Sequence, residues 1–190
     1  YDRIRAKMVS GFNVLPVTKW PLTFMLNKFL HNTAIPNQKN AFIRVAVGCP
    51  GKCSYCSVVS SMGPLHSKSE SKIRKELENG LEKGETVFQL VAGDVGAWGS
   101  ETGQSFADLL KIFYSNKNNF RLMIDDVAPQ WLIKNITEII SIISEDPNKV
   151  SYISVPIQSG SNKILERMMR PYTREQILDI FLKIKEVMPN

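Results

Sequence analysis

Three cysteines stand within one short stretch, Gly48-Cys49-Pro50-Gly51-Lys52-Cys53-Ser54-Tyr55-Cys56, and the chain has 3 Cys in all. The spacing is C-x3-C-x2-C. Three thiols on so short a loop must converge on a common centre, and soft thiolates suit zinc or an iron–sulfur cluster. Three protein ligands on a 4Fe–4S cluster leave one iron open to a small molecule, whereas a structural zinc closes its coordination with a fourth ligand. His66, ten residues past Cys56, is the candidate fourth ligand for zinc. Cys53 and Cys56 also fit a redox C-x-x-C pair, with Cys49 left over. Spacing alone leaves these three readings open. An odd, tightly grouped set of cysteines is no disulfide framework. It points to a reducing, cytoplasmic setting.

Three further segments carry polar groups in turn-like contexts. Gly93-Asp94-Val95-Gly96-Ala97-Trp98-Gly99 lets backbone approach a ligand closely and offers a carboxylate. It is neither G-x-G-x-x-G nor a P-loop, so a nucleotide-phosphate cradle is not indicated. Equally, it is an ordinary tight turn. Gln158-Ser159-Gly160-Ser161 offers short hydroxyl and amide groups suited to a ribose or an amino-acid moiety, or else Ser161 or Asn162 caps a helix. Asp125 and Asp126 are adjacent, so in an extended segment their side chains point apart and do not cooperate.

Each of these segments follows a strand-like run. Ala41 to Val47, Thr86 to Ala92, Phe120 to Ile124 and Tyr152 to Ile157 are short, apolar and rich in β-formers. Amphipathic helices alternate with them. Glu70 to Lys83 carries the stripe Ile73, Leu77 and Leu81, with Ser67 and Glu70 as a capping box and Gly84 as C-terminal cap. Phe106, Leu109, Leu110 and Phe113 mark the second helix. Pro129 opens a third, with Leu132, Ile136, Ile139, Ile140 and Ile143 on its buried side. Thr173 and Gln176 cap a fourth, striped by Ile177, Ile180, Phe181, Ile184 and Val187. Four strand–helix units predict an α/β fold with a parallel sheet, curled into an open, partial (β/α) barrel or doubly wound. A full barrel takes about 250 residues, so four units make at most half of one. In such folds sites lie past the C-terminal ends of the strands, where all the polar segments fall.

Of the 190 residues, 43% are hydrophobic and 22% charged, which is globular rather than disordered composition. No apolar run reaches the roughly 18 residues of a membrane span, and no partner membrane is expected. The charged start, Tyr1-Asp2-Arg3-Ile4-Arg5, lacks a signal-peptide core. The net charge of +6 falls entirely before Cys49 and the residues from Cys49 on are balanced, with a leader and linker over 1–40 and the core over 41–190. In that leader Leu22, Met25, Leu26, Phe29 and Leu30 recur at helical spacing, as for a helix packed on the domain edge.

Cys49, Cys53 and Cys56, with Tyr55 before the last, resemble the radical S-adenosylmethionine signature. Three further stretches are similar to the methylthiotransferase family, over roughly residues 41–190. They are Gly93 to Gly99, Val155-Pro156-Ile157-Gln158-Ser159-Gly160-Ser161, and Met169-Arg170-Pro171-Tyr172-Thr173. Gly96-Ala97-Trp98-Gly99 running into Thr102-Gly103 looks closest to members that modify tRNA. The resemblance implies that Cys49, Cys53 and Cys56 ligate a 4Fe–4S cluster whose open iron chelates S-adenosylmethionine. It implies reductive cleavage to a 5′-deoxyadenosyl radical and insertion of a methylthio group, typically at C2 of a modified adenosine beside the tRNA anticodon. By position, Tyr55 borders the adenine, Asp94 lies near the methionine end, Gln158 and Ser159 lie near the ribose, and Arg170 pairs with a carboxylate. The implied partners are tRNA, reached mostly through regions outside these residues, and an electron donor such as a flavodoxin-type protein. A ribosomal protein is the alternative substrate. Other radical chemistry on the same core, or a non-enzymatic zinc-stabilised binding domain, are the remaining alternatives.

The chain departs from the family at Gly93, where members carry Gln or Glu, and at Met62, where they carry Arg. It has no Cys before Cys49, whereas members hold a second cluster on an N-terminal domain and carry an RNA-binding barrel at the other end. The expectation is a radical core cut short at both ends and incompetent by itself for sulfur transfer.

Overall fold

The computed structural model describes residues 40–187. The leader and its apolar stripe lie outside the described residues. The principal sheet contains β1 (Asn40–Arg44), β4 (Val87–Val91), β5 (Arg121–Ile124) and β6 (Val150–Ile153). All three pairings are parallel, and the spatial order β1-β4-β5-β6 is the chain order of these strands. Each new strand is therefore added on the same side of the last. That is the winding of a barrel, not of a doubly wound sheet, whose order reverses. Among the described residues the sheet stays open at β1 and β6.

Helices pack against this sheet. They are α1 (Val58–Met62), α2 (Glu70–Glu82), α3 (Phe106–Tyr114), α4 (Pro129–Glu145), α5 (Asn162–Arg167) and α6 (Arg174–Val187). Ile43, Phe88, Leu90 and Leu122 from the sheet meet Ile73, Leu77, Phe106, Leu110, Phe113, Leu132 and Ile139 from the helices in one buried core. Burying each such side chain contributes roughly 1.5–3 kcal/mol before chain entropy is counted.

Most helix-end signals act as read. Pro129 opens α4. The Thr173 and Gln176 side chains each accept the other's backbone N–H, at 3.3 and 2.9 Å. Past α2, Gly84 has φ +78, its N–H donates to the Leu81 carbonyl at 2.9 Å, and that of Glu85 donates to Gly80 at 3.0 Å. That is the paired bonding of a Schellman cap.

Several expectations are corrected. The run Ala41 to Val47 is not one strand. Val45 donates its N–H to the Val91 carbonyl and its own carbonyl accepts the Lys68 N–H, so the chain leaves the main sheet there. Ala46–Val47 (β2) then pairs antiparallel with His66–Ser67 (β3). Ser67 is consequently a strand residue, and α2 starts after Ser69 with no side-chain cap, not at a Ser67–Glu70 box. The fourth strand occupies Val150–Ile153 rather than Tyr152 to Ile157. In α4, Asn135 leaves helical geometry (φ −128, ψ 21). In the same helix Ile142 is buried and Ile140 only half-buried, where Ile140 was expected inside. Phe181 of α6, expected on the buried stripe, is 39% exposed.

Candidate metal and cofactor site

The cysteine loop leaves β2 at Gly48. A Cβ there would lie 2.0 Å from the Pro64 carbonyl oxygen, and φ is +77, so only glycine suits this close crossing. Gly51, two residues past Cys49, leaves space between thiols: a Cβ on it would lie 3.2 Å from Cys49 Sγ and 3.5 Å from Cys53 Sγ. Its N–H points at Cys49 Sγ, at 3.3 Å. The Cys56 N–H donates to the Cys53 carbonyl at 3.2 Å, turning the last cysteine back toward the others. Burial pushes the Cys49 thiol up from its ordinary value, and the negative charges of Asp94, Cys53 and Cys56 push the same way. Such a group of thiols is ionised by a cation placed among them.

The donor set therefore suits a thiolate-bound metal centre, although the side chains are not closed around a point. Among the described residues no three His, Cys, Asp or Glu side chains are gathered tightly enough to hold a metal ion. His66 is exposed and sits on β3 opposite Val47.

The loops after the other strands meet this one. Gly93 follows β4, and a Cβ on it would lie 3.1 Å from the Gly48 carbonyl oxygen and 3.4 Å from Val58. The position where relatives of the expected family carry Gln or Glu thus faces the start of the cysteine loop. Asp94 is 6% exposed and spends its carboxylate internally. Oδ1 accepts the Ala128 N–H at 3.2 Å and Oδ2 the Trp131 indole N–H at 2.7 Å. Burial raises its pKa despite those bonds. Its expected place near the methionine end of a ligand rests on the resemblance alone. Gly96 and Trp98 serve packing. A Cβ on Gly96 would lie 2.6 Å from Trp131, and Trp98 is buried with its indole N–H donated to the Lys68 carbonyl at 2.8 Å.

Beyond β5, Asp125 accepts a hydrogen bond from Gln89 at 2.5 Å, whereas exposed Asp126 has φ +50. Beyond β6, Gln158 is exposed with φ +66, and the Ser159 hydroxyl accepts the Ser161 N–H at 3.1 Å. No side-chain bond ties Gln158 or Ser159 to the cysteine loop.

A junction forms between the two sheet edges. Ser54 donates its N–H to the Met168 carbonyl at 3.3 Å and its hydroxyl to the Arg167 carbonyl at 2.9 Å. Arg170 donates through Nη2 to the Tyr55 hydroxyl, and its guanidinium lies 5.6 Å from the centre of the Tyr55 ring. Tyr172, 4% exposed, completes the cluster and has no side-chain role in the sequence reading. The signal for it was present in the stretch Met169 to Thr173, but an aromatic beside a proline reads equally as packing.

The family model of the Radical SAM superfamily matches residues 43–190. The chain belongs to the radical SAM superfamily. It is 31% identical over 141 residues to the probable threonylcarbamoyladenosine tRNA methylthiotransferase of Archaeoglobus fulgidus, covering 74% of this chain and 33% of that protein. It is 33% identical over 152 residues to the ribosomal protein uS12 methylthiotransferase of Thermotoga petrophila, covering 79% and 35%. It is 31% identical over 168 residues to the tRNA-2-methylthio-N(6)-dimethylallyladenosine synthase of Clostridium botulinum, covering 86% and 37%. The chain thus spans about a third of the length of the curated relatives it matches. Among solved structures, the radical S-adenosylmethionine methyltransferase TsrM of Kitasatospora setae, with cobalamin and a [4Fe-4S] cluster bound, superposes with a TM-score of 0.62. The identity is 14%, over 80% of this chain and 29% of that one. The cobalamin-dependent radical enzyme OxsB gives 0.61 at 14%, over 76% and 22%. At such identity these structures establish the fold. This chain is a radical SAM core of the α/β class, with methylthiotransferases among its relatives.

Proposed function

We propose that this core belongs to a methylthiotransferase that acts on a modified adenosine of tRNA, with Cys49, Cys53 and Cys56 holding a 4Fe–4S cluster that binds S-adenosylmethionine. The observation that carries the reading is the junction of Ser54 and Tyr55 with Arg167 to Arg170. It joins the superfamily's cysteine signature to the stretch most specific to methylthiotransferases. When bound, the cluster supplies the electron that cleaves the sulfonium to a 5′-deoxyadenosyl radical. The chain's own residues would hold and orient the cofactors. Cys49, Cys53 and Cys56 supply thiolates. Tyr55, held by Arg170, offers a ring for the adenine. Gln158 and Ser159 offer hydrogen bonds to a ribose, and Asp94 fixes the floor between the second and third loops. A tRNA substrate is favoured by the likeness of Gly96 to Gly103 to tRNA-modifying members and by the Archaeoglobus fulgidus relative.

A ribosomal protein substrate is the second reading, favoured by the relatives that act on uS12. The test is anaerobic reconstitution with iron and sulfide, then dithionite and S-adenosylmethionine. The expected products are visible iron–sulfur absorption and 5′-deoxyadenosine. A protein that takes up zinc stoichiometrically and never builds a cluster overturns the reading. Mass spectrometry of tRNA and of uS12, after incubation with the full-length enzyme, then separates the two substrates.

A further inference from the structure

Arg170 Nε and the Tyr172 hydroxyl are both buried and make no hydrogen bond among the described residues. A buried donor left unpaired is costly, so each of these two atoms is open to an acceptor. Arg170 is bonded to Tyr55, which stands in the chain between Cys53 and Cys56. Burial pushes the Tyr172 hydroxyl up to about 12, so it keeps its proton and remains a donor. The guanidinium is oriented, not mobile. Nη2 is bound to the Tyr55 hydroxyl, the plane lies by the Tyr55 ring, and its own backbone N–H is bound to the Leu165 carbonyl at 2.9 Å. The backbone of Ser54 is fixed to the same turn.

We propose that Arg170 and Tyr172 form a donor pair that positions the Cys53–Cys56 half of the cysteine loop and raises the reduction potential of the centre it holds. The proposal rests on the cluster reading given above. One electron taken from a reductant such as dithionite adds one negative charge to a thiolate-ligated centre. A fixed cation and a neutral hydroxyl donor nearby stabilise that added charge, and hydrogen bonding and net charge are among the factors that set such potentials. Arg170 acts here as a positioning residue, because its bond to Tyr55 holds the residue between two ligands.

The experiment uses the 190-residue chain reconstituted anaerobically, with the variants Tyr172→Phe, Arg170→Gln and Arg170→Lys. Three readouts are taken: iron per chain, midpoint potential by dithionite titration followed by electron paramagnetic resonance, and the alkylation rate of Cys53 in the metal-free protein. Tyr172→Phe keeps the packed ring and is expected to keep its iron while its midpoint falls. Arg170→Gln is expected to lower the midpoint further, to lose iron faster to a chelator, and to raise Cys53 alkylation several-fold. Arg170→Lys restores the charge but not the planar donor, so it is expected to recover the potential in part and the slow alkylation not at all. Unchanged midpoints in both Tyr172→Phe and Arg170→Gln overturn the tuning role. Unchanged alkylation in Arg170→Gln overturns the positioning role. If the parental chain builds no cluster, the reading of the function fails along with the tuning role, and alkylation still decides whether Arg170 positions the loop.

Discussion

The indole N–H of Trp131 reaches Asp94 Oδ2 at 2.7 Å, while Asp94 Oδ1 takes the Ala128 N–H at 3.2 Å. One carboxylate thereby joins the turn after β4 to the start of α4, on the rim where the cysteine loop also lies. Asp94→Asn turns an NH2 group toward one of those donors. It is expected to cost about 1–3 kcal/mol, the penalty of an unsatisfied buried polar group. Urea unfolding of Asp94→Asn, of Trp131→Phe and of the double variant checks this, and the double is expected to cost less than the two singles together.

Gly96 lies under the same indole, with no room for a methyl group: a Cβ would meet Trp131 at 2.6 Å and Val127 at 2.9 Å. Gly96→Ala is expected to destabilise by about 1–3 kcal/mol, as overpacking does. Gly160→Ala, where a Cβ meets nothing within 4 Å, is the control and is expected to be neutral. Thermal melts of the two variants separate a packing glycine from an incidental one.

At α3, Ser105 and Asp108 form a capping box, and Asp108 also pairs with Lys111 at 2.9 Å. The bond from Lys111, first, and those from Ser105 hold the Asp108 carboxyl below its ordinary value of 3.8. A carboxyl depressed on folding contributes stability that is present above the unfolded value and is lost as pH falls through the folded one. Asp108→Asn is expected to be less stable than the parent at pH 7, by up to about 1 kcal/mol for this partly exposed group. The difference is expected to shrink as pH is lowered past 3.8 toward the folded value. Parallel urea titrations at several pH values measure the slope.

His66 distinguishes a closed zinc site from an open cluster. It stands on β3 and bonds to none of the thiols among the described residues. His66→Ala is expected to leave iron content unchanged after reconstitution, whereas Cys53→Ala is expected to abolish it. Iron and zinc assays on both variants decide.

Local chemistry made much of this protein legible. The alternation of β-rich runs and apolar stripes marks four units, because strands packed under helices and the helices over them each need an apolar face. Thr173 with Gln176, Pro129 and Gly84 mark helix ends, because capping is settled within a few residues. Ser67 misled for the complementary reason. Its hydroxyl and N–H bond to Glu101, at 3.0 and 2.6 Å, and a partner 34 residues away leaves no mark in a local pattern. Asn135 likewise looks ordinary in an apolar helix, yet its backbone leaves helical geometry there.

The site divides along the same line. By itself the sequence determines that three thiols share a loop, that no fourth cysteine closes the set, and that polar groups follow each strand, since these are matters of spacing. Only the tertiary structure decides which of those groups meet. Curling of the open sheet brings the turn after α5, at one edge, onto Ser54 and Tyr55 beside the other, although Arg170 and Tyr55 are 115 residues apart. It turns Asp94 inward to Trp131 and leaves Gln158 in the open. The reason is physical. Hydrogen bonds and charges act over a few ångströms of space, and distance along the chain carries that information only within a turn or a helix.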